Sequence, residues 1–190
     1  MDQKTISIIL LVLFLVVVLL LSVALLTNSW SIVKFTGTDV SAQNVNFGLF
    51  RGNFGTNSSK KTSDNVGSKN ALYACQAFAI GGVFLILIGY ALLMYSGYKM
   101  AAIAIGILAL GSISSIIAAI IWGFDKNLNR RNQQGTQNVL FLGNVTNVTT
   151  TDTFGYSWYI QLIVSLISAV WVGFMAYQIF IKKNLNIANL

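Results

Sequence analysis

Few residues in this chain can do chemistry, and their spacing brings none of them together. Its 190 residues include no His and no Glu, and Cys75 is the single cysteine. Acid–base pairs, activated nucleophiles and the common zinc sets draw on those missing side chains. Beyond the N-terminus the carboxylates are Asp39, Asp64, Asp125 and Asp152, scattered through polar stretches. The expectation is a protein that is not an enzyme, with no cofactor and no metal centre. One cysteine also rules out an intrachain disulfide. What remains are acceptor sites for modification: the N-glycosylation sequons Asn57-Ser-Ser, Asn144-Val-Thr and Asn147-Val-Thr. The net charge is +7, yet no RNA- or DNA-binding pattern accompanies it, so nucleic acid is not an expected partner.

The elements that must carry these residues lie in a membrane. Hydrophobic residues make up 55% of the chain and charged residues 9%, a balance foreign to soluble domains. The run over 6–26, ISIILLVLFLVVVLLLSVALL, has no charge, no Gly and no Pro. As a helix it extends about 31 Å, the thickness of a bilayer's hydrocarbon core. It is apolar on every face, unlike the surface helix of a soluble domain. Ser22-Val23-Ala24 resembles a small-x-small cleavage site, but the run is too long for a signal core and is expected to be retained. Further spans are expected over 71–95, 100–122 and 158–181. The fold class that follows is an all-α membrane protein with one tetraspan domain over 1–190. Its four-helix transmembrane bundle carries a small extracellular β-sheet from the two long loops, 27–70 and 123–157.

Within the loops, 31–35 and 45–50 have strand character, as do 138–142 and 145–150, and 53–69 reads as a solvated segment. The second and third spans are joined by 96–99 alone, so they form a tight antiparallel hairpin. Basic residues do not settle the orientation: Lys4, Lys99, Lys182 and Lys183 are dense on the short side, and the other eight are spread over the long loops. The sequons are more informative, because all three fall in the long loops. Both termini are therefore expected in the cytoplasm and the long loops outside, in the plasma membrane.

No span contains a charged residue, which argues against a proton relay, an ion path or a coupled carrier. The spans do contain small residues at helical spacing. In the second these are Ala77, Gly81, Gly89 and Gly97, and in the fourth Ser165, Ala169 and Gly173. The third has two sets, Ala102 with Gly106, and Gly111 with Ser115 and Ala119. Such stripes let helix backbones approach closely in lipid. Most serve packing within the bundle; the third span, with two, is the candidate for lateral contact with another membrane protein. Gln76, Gln161 and Gln178, near span ends, read as interhelical hydrogen-bonding groups.

Trp30 stands early in the first loop and Gly48-Leu49-Phe50 follows it. The second span opens Leu72-Tyr-Ala-Cys-Gln-Ala-Phe78, and Phe154-Gly-Tyr-Ser-Trp-Tyr159 leads into the fourth. Together with the span and loop lengths, these resemble the superfamily of claudins, peripheral myelin proteins and calcium-channel gamma subunits. The family pattern is a loop Trp, then Gly-Leu-Trp, then two cysteines; here Phe50 replaces the second Trp and Asn53 stands near the first Cys. The resemblance implies a left-handed bundle topped by a sheet of about five strands. Without the family's disulfide, the sheet is expected to pack on Trp30, Phe47 and Phe50.

Three functions stay open. The first is a claudin-like protein acting by protein–protein contacts, as a junction or adhesion component or an auxiliary subunit. The second is a channel former whose basic loops favour anions. The third is a subunit of an organellar membrane complex with unused sequons. All three have membrane lipid as a partner, and the first adds other integral membrane proteins or copies of itself.

Overall fold

The computed structural model describes residues 3–37, 43–54, 58–61, 69–96, 100–124, 136–141 and 144–181. Among these residues there are four α-helices: α1 (Gln3–Leu26), α2 (Lys69–Ser96), α3 (Ala101–Phe124) and α4 (Tyr156–Ala176), the last continuing into a π-helical turn, Tyr177–Ile181. Long apolar runs without Pro explain why these segments stay helical. α2, α3 and α4 are each long and apolar enough to cross a membrane. The apolar run of α1 is described at side-chain level over Leu11–Leu26.

α2 and α3 form the tightest pair, and glycines set their spacing. A Cβ on Gly111 would stand 2.8 Å from the Ile86 backbone nitrogen and 2.9 Å from the Gly82 carbonyl oxygen. On Gly82 it would collide with the Ser115 hydroxyl, and on Gly89 it would meet the Leu108 side chain at 2.8 Å. Close approach of this kind replaces the hydrophobic force that is absent between helices in lipid. α4 lies against α3, where the Ser112 and Ser168 hydroxyls are 2.8 Å apart. α1 packs chiefly on α4 and reaches α2 where the Phe14 and Tyr90 rings stack at 3.7 Å.

This packing corrects two expectations. Of the Ala77, Gly81, Gly89 and Gly97 set, Gly97 lies outside the described residues, and the rest is not one face: at about 100° per residue, Ala77 and Gly89 lie roughly 120° apart. The seam uses Gly82 and Gly89, seven residues apart and so within about 20° of each other. In α3, Gly111, Ser115 and Ala119 are buried and Gly111 and Ser115 face α2. They belong to the bundle and are not a free lateral contact. Ala102 and Gly106 are exposed, and a Cβ on Gly106 would meet nothing within 4 Å.

The strands are β1 (Ser31–Gly37), β2 (Gln43–Phe47), β3 (Arg51–Phe54), β4 (Ser58–Lys61), β5 (Thr136–Phe141) and β6 (Asn144–Phe154). They form one sheet in the order β4-β3-β2-β1-β6-β5, with every neighbour antiparallel. The two loops meet at β1 and β6, from Ser31 opposite Phe154 to Gly37 opposite Val148. Val33 and Val45 are cross-strand partners and both are buried, while Lys34, on the opposite face, is exposed. The sheet has one strand more than the resemblance implies. The segment 53–69, read as a solvated loop, supplies β4 and the second half of β3, whose sequences SSKK and RGNF have little strand propensity. Pairing in register overrides that local preference.

Gly111→Leu should force α2 and α3 apart, whereas Gly106→Leu should leave the bundle intact. Thermal unfolding in mild detergent is expected to show a loss of roughly 1–3 kcal/mol or more for the first variant and a near-wild-type transition for the second.

Candidate functional site at the junction of sheet and bundle

The structure brings the motif residues together where the sheet stands on the helices. Trp30 is fully buried. Its indole Nε1 donates to the Ala24 carbonyl at 2.6 Å, one of the last carbonyls of α1, which have no partner within the helix. Its backbone nitrogen donates to the Phe47 carbonyl at 2.8 Å and its own carbonyl accepts from Gly155 at 3.1 Å. The ring meets Trp122 of α3 edge-on, with centroids 5.3 Å apart. One residue thus holds α1, β2, α3 and the start of α4.

The start of α4 is built on the same segment. Gly155 precedes the helix without a side-chain cap, and the Ser157 backbone nitrogen donates to the Ser29 carbonyl at 3.0 Å instead. The chains cross so closely that a Cβ on Gly155 would overlap the Ser29 carbonyl. Thr27 and Ser157 hydroxyls share a hydrogen bond of 2.6 Å. Phe154 stacks on Trp158 at 3.8 Å, and Trp158 Nε1 donates to the Ala119 carbonyl at 2.8 Å.

The Gly48-Leu49-Phe50 triplet forms the tip of the β2–β3 hairpin, closed by Gly48 nitrogen on the Arg51 carbonyl at 2.8 Å. Gly48 lies against the Thr27–Asn28 backbone, with its absent Cβ only 2.6 Å from Asn28 Cα. Leu49 is fully buried in a cluster with Trp30, Leu72, Cys75 and Trp122. Gln76 Nε2 donates to the Leu49 carbonyl at 2.8 Å. Phe50 is 38% exposed. The expectation that the sheet packs on Phe50 is met at most in part: over a third of this residue's surface is exposed, and Leu49 takes the fully buried position at the tip. Cys75 is a buried free thiol whose sulfur donates to the Ala118 carbonyl at 3.2 Å.

Other sequence-based candidates lie apart from this junction. Asn57 is outside the described residues; Asn144 opens β6, and Asn147 sits within it opposite Asn138. Ala102 and Gly106 lie in the first two turns of α3, at the end away from Trp122. Gln76 reaches a loop carbonyl, not another helix. Gln161 is fully buried, and its amide makes no hydrogen bond among the described residues. Sequence reasoning named Leu49 only as part of the triplet and Gly155 and Trp158 only in the run before the fourth span, without their anchoring roles, and missed Trp122. The available signal was the aromatic density at the span ends. Among the described residues no group of His, Cys, Asp or Glu is placed to hold a metal. The arrangement ties the sheet to the ends of α1, α3 and α4.

Leu49→Ala is expected to destabilise the attached sheet by about 2–5 kcal/mol, the range for truncating a buried Leu. Phe50→Ala should cost well under half as much. Limited proteolysis of the first loop under graded denaturant gives the ranking, and a larger effect at Phe50 would overturn the assignment. No family model matches the sequence, and no curated protein is similar to it.

Proposed function

We propose that this chain is a claudin-like integral membrane protein that works by binding other membrane proteins or copies of itself, as a junction or adhesion component or an auxiliary subunit. In this reading α1 is a fourth span, both termini are cytoplasmic, and the sheet stands outside the plasma membrane. The single observation that carries it is the β1–β6 pairing: strands from both long loops join in one sheet held on the helix ends by Trp30 and Leu49. A rigid surface built outside the lipid and joined to an uncharged bundle is suited to contact, since nothing in the spans provides a polar path.

Two surfaces are available for such contact. The sheet presents Lys34 and Arg51, both exposed, on one face. In the bundle, α3 exposes the row Ile103, Gly106, Leu110 and Ile113, in which Gly106 leaves a notch where another helix backbone can approach. Because Gly111 and its neighbours are committed to α2, Ala102 and Gly106 are the lateral site in this proposal.

A membrane-impermeant amine reagent applied to intact cells should label the lysines of the 53–69 loop. Labelling only after permeabilisation would overturn both the orientation and the cell-surface placement. Gly106→Leu should reduce the recovery of co-purifying membrane protein at least severalfold without altering the melting of the chain itself. Unchanged recovery would move the contact to the sheet.

A further inference from the structure

Exposed aromatic rings surround the bundle at the level where the sheet begins. They are Tyr73 on α2, Phe124 on α3, and Tyr156 and Tyr159 on α4. Contacts fix that common level: Ser157 bonds to Thr27, the Trp122 ring meets Trp30, and Leu72 lies in the Trp30 cluster. Rings gathered at the ends of membrane spans mark the headgroup boundary. α1 supplies none. Its last residues and those just after it, 23–28, include no aromatic side chain, and Trp30 is turned inward and fully buried.

The tip of the β2–β3 hairpin occupies the quadrant that α1 leaves bare. Gly48 lies on the Thr27–Asn28 backbone, and the Leu49 carbonyl accepts from Gln76 of α2. Gln76 follows Lys69, the first residue of α2, by seven positions, so the tip descends about 10 Å alongside that helix. At this depth Leu49 is buried against the bundle, while Phe50 beside it is exposed. Arg51 comes next and is also exposed. Its register partner in β4 is Lys61. Like charges directly opposite one another destabilise a strand pair, and an anion at that point offsets the repulsion.

We propose that this hairpin tip is a membrane anchor: Phe50 enters the headgroup boundary between α1 and α2, and the Arg51 guanidinium binds the phosphate of a phospholipid there. The ring completes the aromatic girdle where the helices leave a gap. The guanidinium beside it presents paired N–H donors that match two phosphate oxygens. Lys34 stays in water, because its partner Asn44 stands four residues, about 13 Å, along β2 from Gly48. The exposure of Phe50 thereby has a cause, since lipid covers the ring that the bundle does not. The inference rests on the reading of the helices as membrane spans.

The test uses the full chain in nanodiscs. A polarity-sensitive fluorophore is attached to Phe50→Cys, Tyr73→Cys or Lys34→Cys, with Cys75 shielded by its burial. Lipids spin-labelled at the headgroup boundary should quench the fluorophore at position 50 as strongly as at 73, and severalfold more than at 34. Quenching at 73 but not at 50 would overturn the anchor and leave the ring in water, open to a protein partner. No quenching at 73 would overturn the membrane placement itself, and this inference with it. The phosphate contact is read on the wild-type chain by phenylglyoxal modification of Arg51, followed by peptide mass spectrometry. Modification should be severalfold slower in phosphatidylcholine than in digalactosyl diacylglycerol, a bilayer lipid without phosphate. Equal rates in the two lipids would overturn the assigned contact.

Discussion

The attachment of the sheet depends on burying the indole of Trp30. A fully buried N–H must be satisfied within the protein, and the Ala24 carbonyl at the end of α1 satisfies it. That bond turns the chain sharply as it leaves the helix and aims β1 across the bundle top. The backbone of the same residue then takes β2 on one side and Gly155 on the other. With those positions fixed, β6 can pair only in the register that brings Phe154 opposite Ser31. The start of α4 follows, because the Ser157 backbone nitrogen donates to the carbonyl of Ser29. The order of causes runs from one side chain to two helix ends and then to the sheet.

The helices were legible in the sequence because hydropathy is a property of composition along the chain. The second span, expected over 71–95, is the helix Lys69–Ser96, and the third, expected over 100–122, is Ala101–Phe124. The strand expected over 31–35 is β1, extended to Gly37, and 145–150 lies within β6. The β3–β4 hairpin was not legible. Its residues carry no alternating apolar pattern, so what makes them strands is β2, a partner outside the segment. Which small residues face inward was only half legible. A four-residue spacing repeated along a helix drifts by about 40° at each step, whereas a seven-residue spacing such as Gly82 to Gly89 stays within about 20°.

Phe50 and Leu49 illustrate a different limit. Side-chain size favours the larger ring as the buried anchor, and the family pattern places an aromatic residue there. A two-residue hairpin tip does not point both side chains the same way, however. The tip is oriented by Gly48 pressed on the Thr27–Asn28 backbone and by Gln76 holding the Leu49 carbonyl. Those contacts cross between elements far apart in sequence, and no local property of the triplet reveals them.

The lack of a loop disulfide can be weighed on the same geometry. A cross-link acts mainly by restricting the unfolded chain, and its effect grows only logarithmically with loop length. Here α1 and α2 already restrain both ends of the first loop, which leaves less for a covalent tie to do. What a disulfide would still supply is position, and the buried Leu49 with its Gln76 bond supplies that on the hairpin. Such a pin differs from a covalent one in a useful respect. Disulfides persist only in oxidising compartments, whereas a buried leucine and an amide bond to a carbonyl are indifferent to redox state. Cys75, a few ångströms into the same cluster, is itself buried and hydrogen-bonded to Ala118. The sheet is therefore held on the bundle by contacts that are the same during synthesis and at the final destination of the protein.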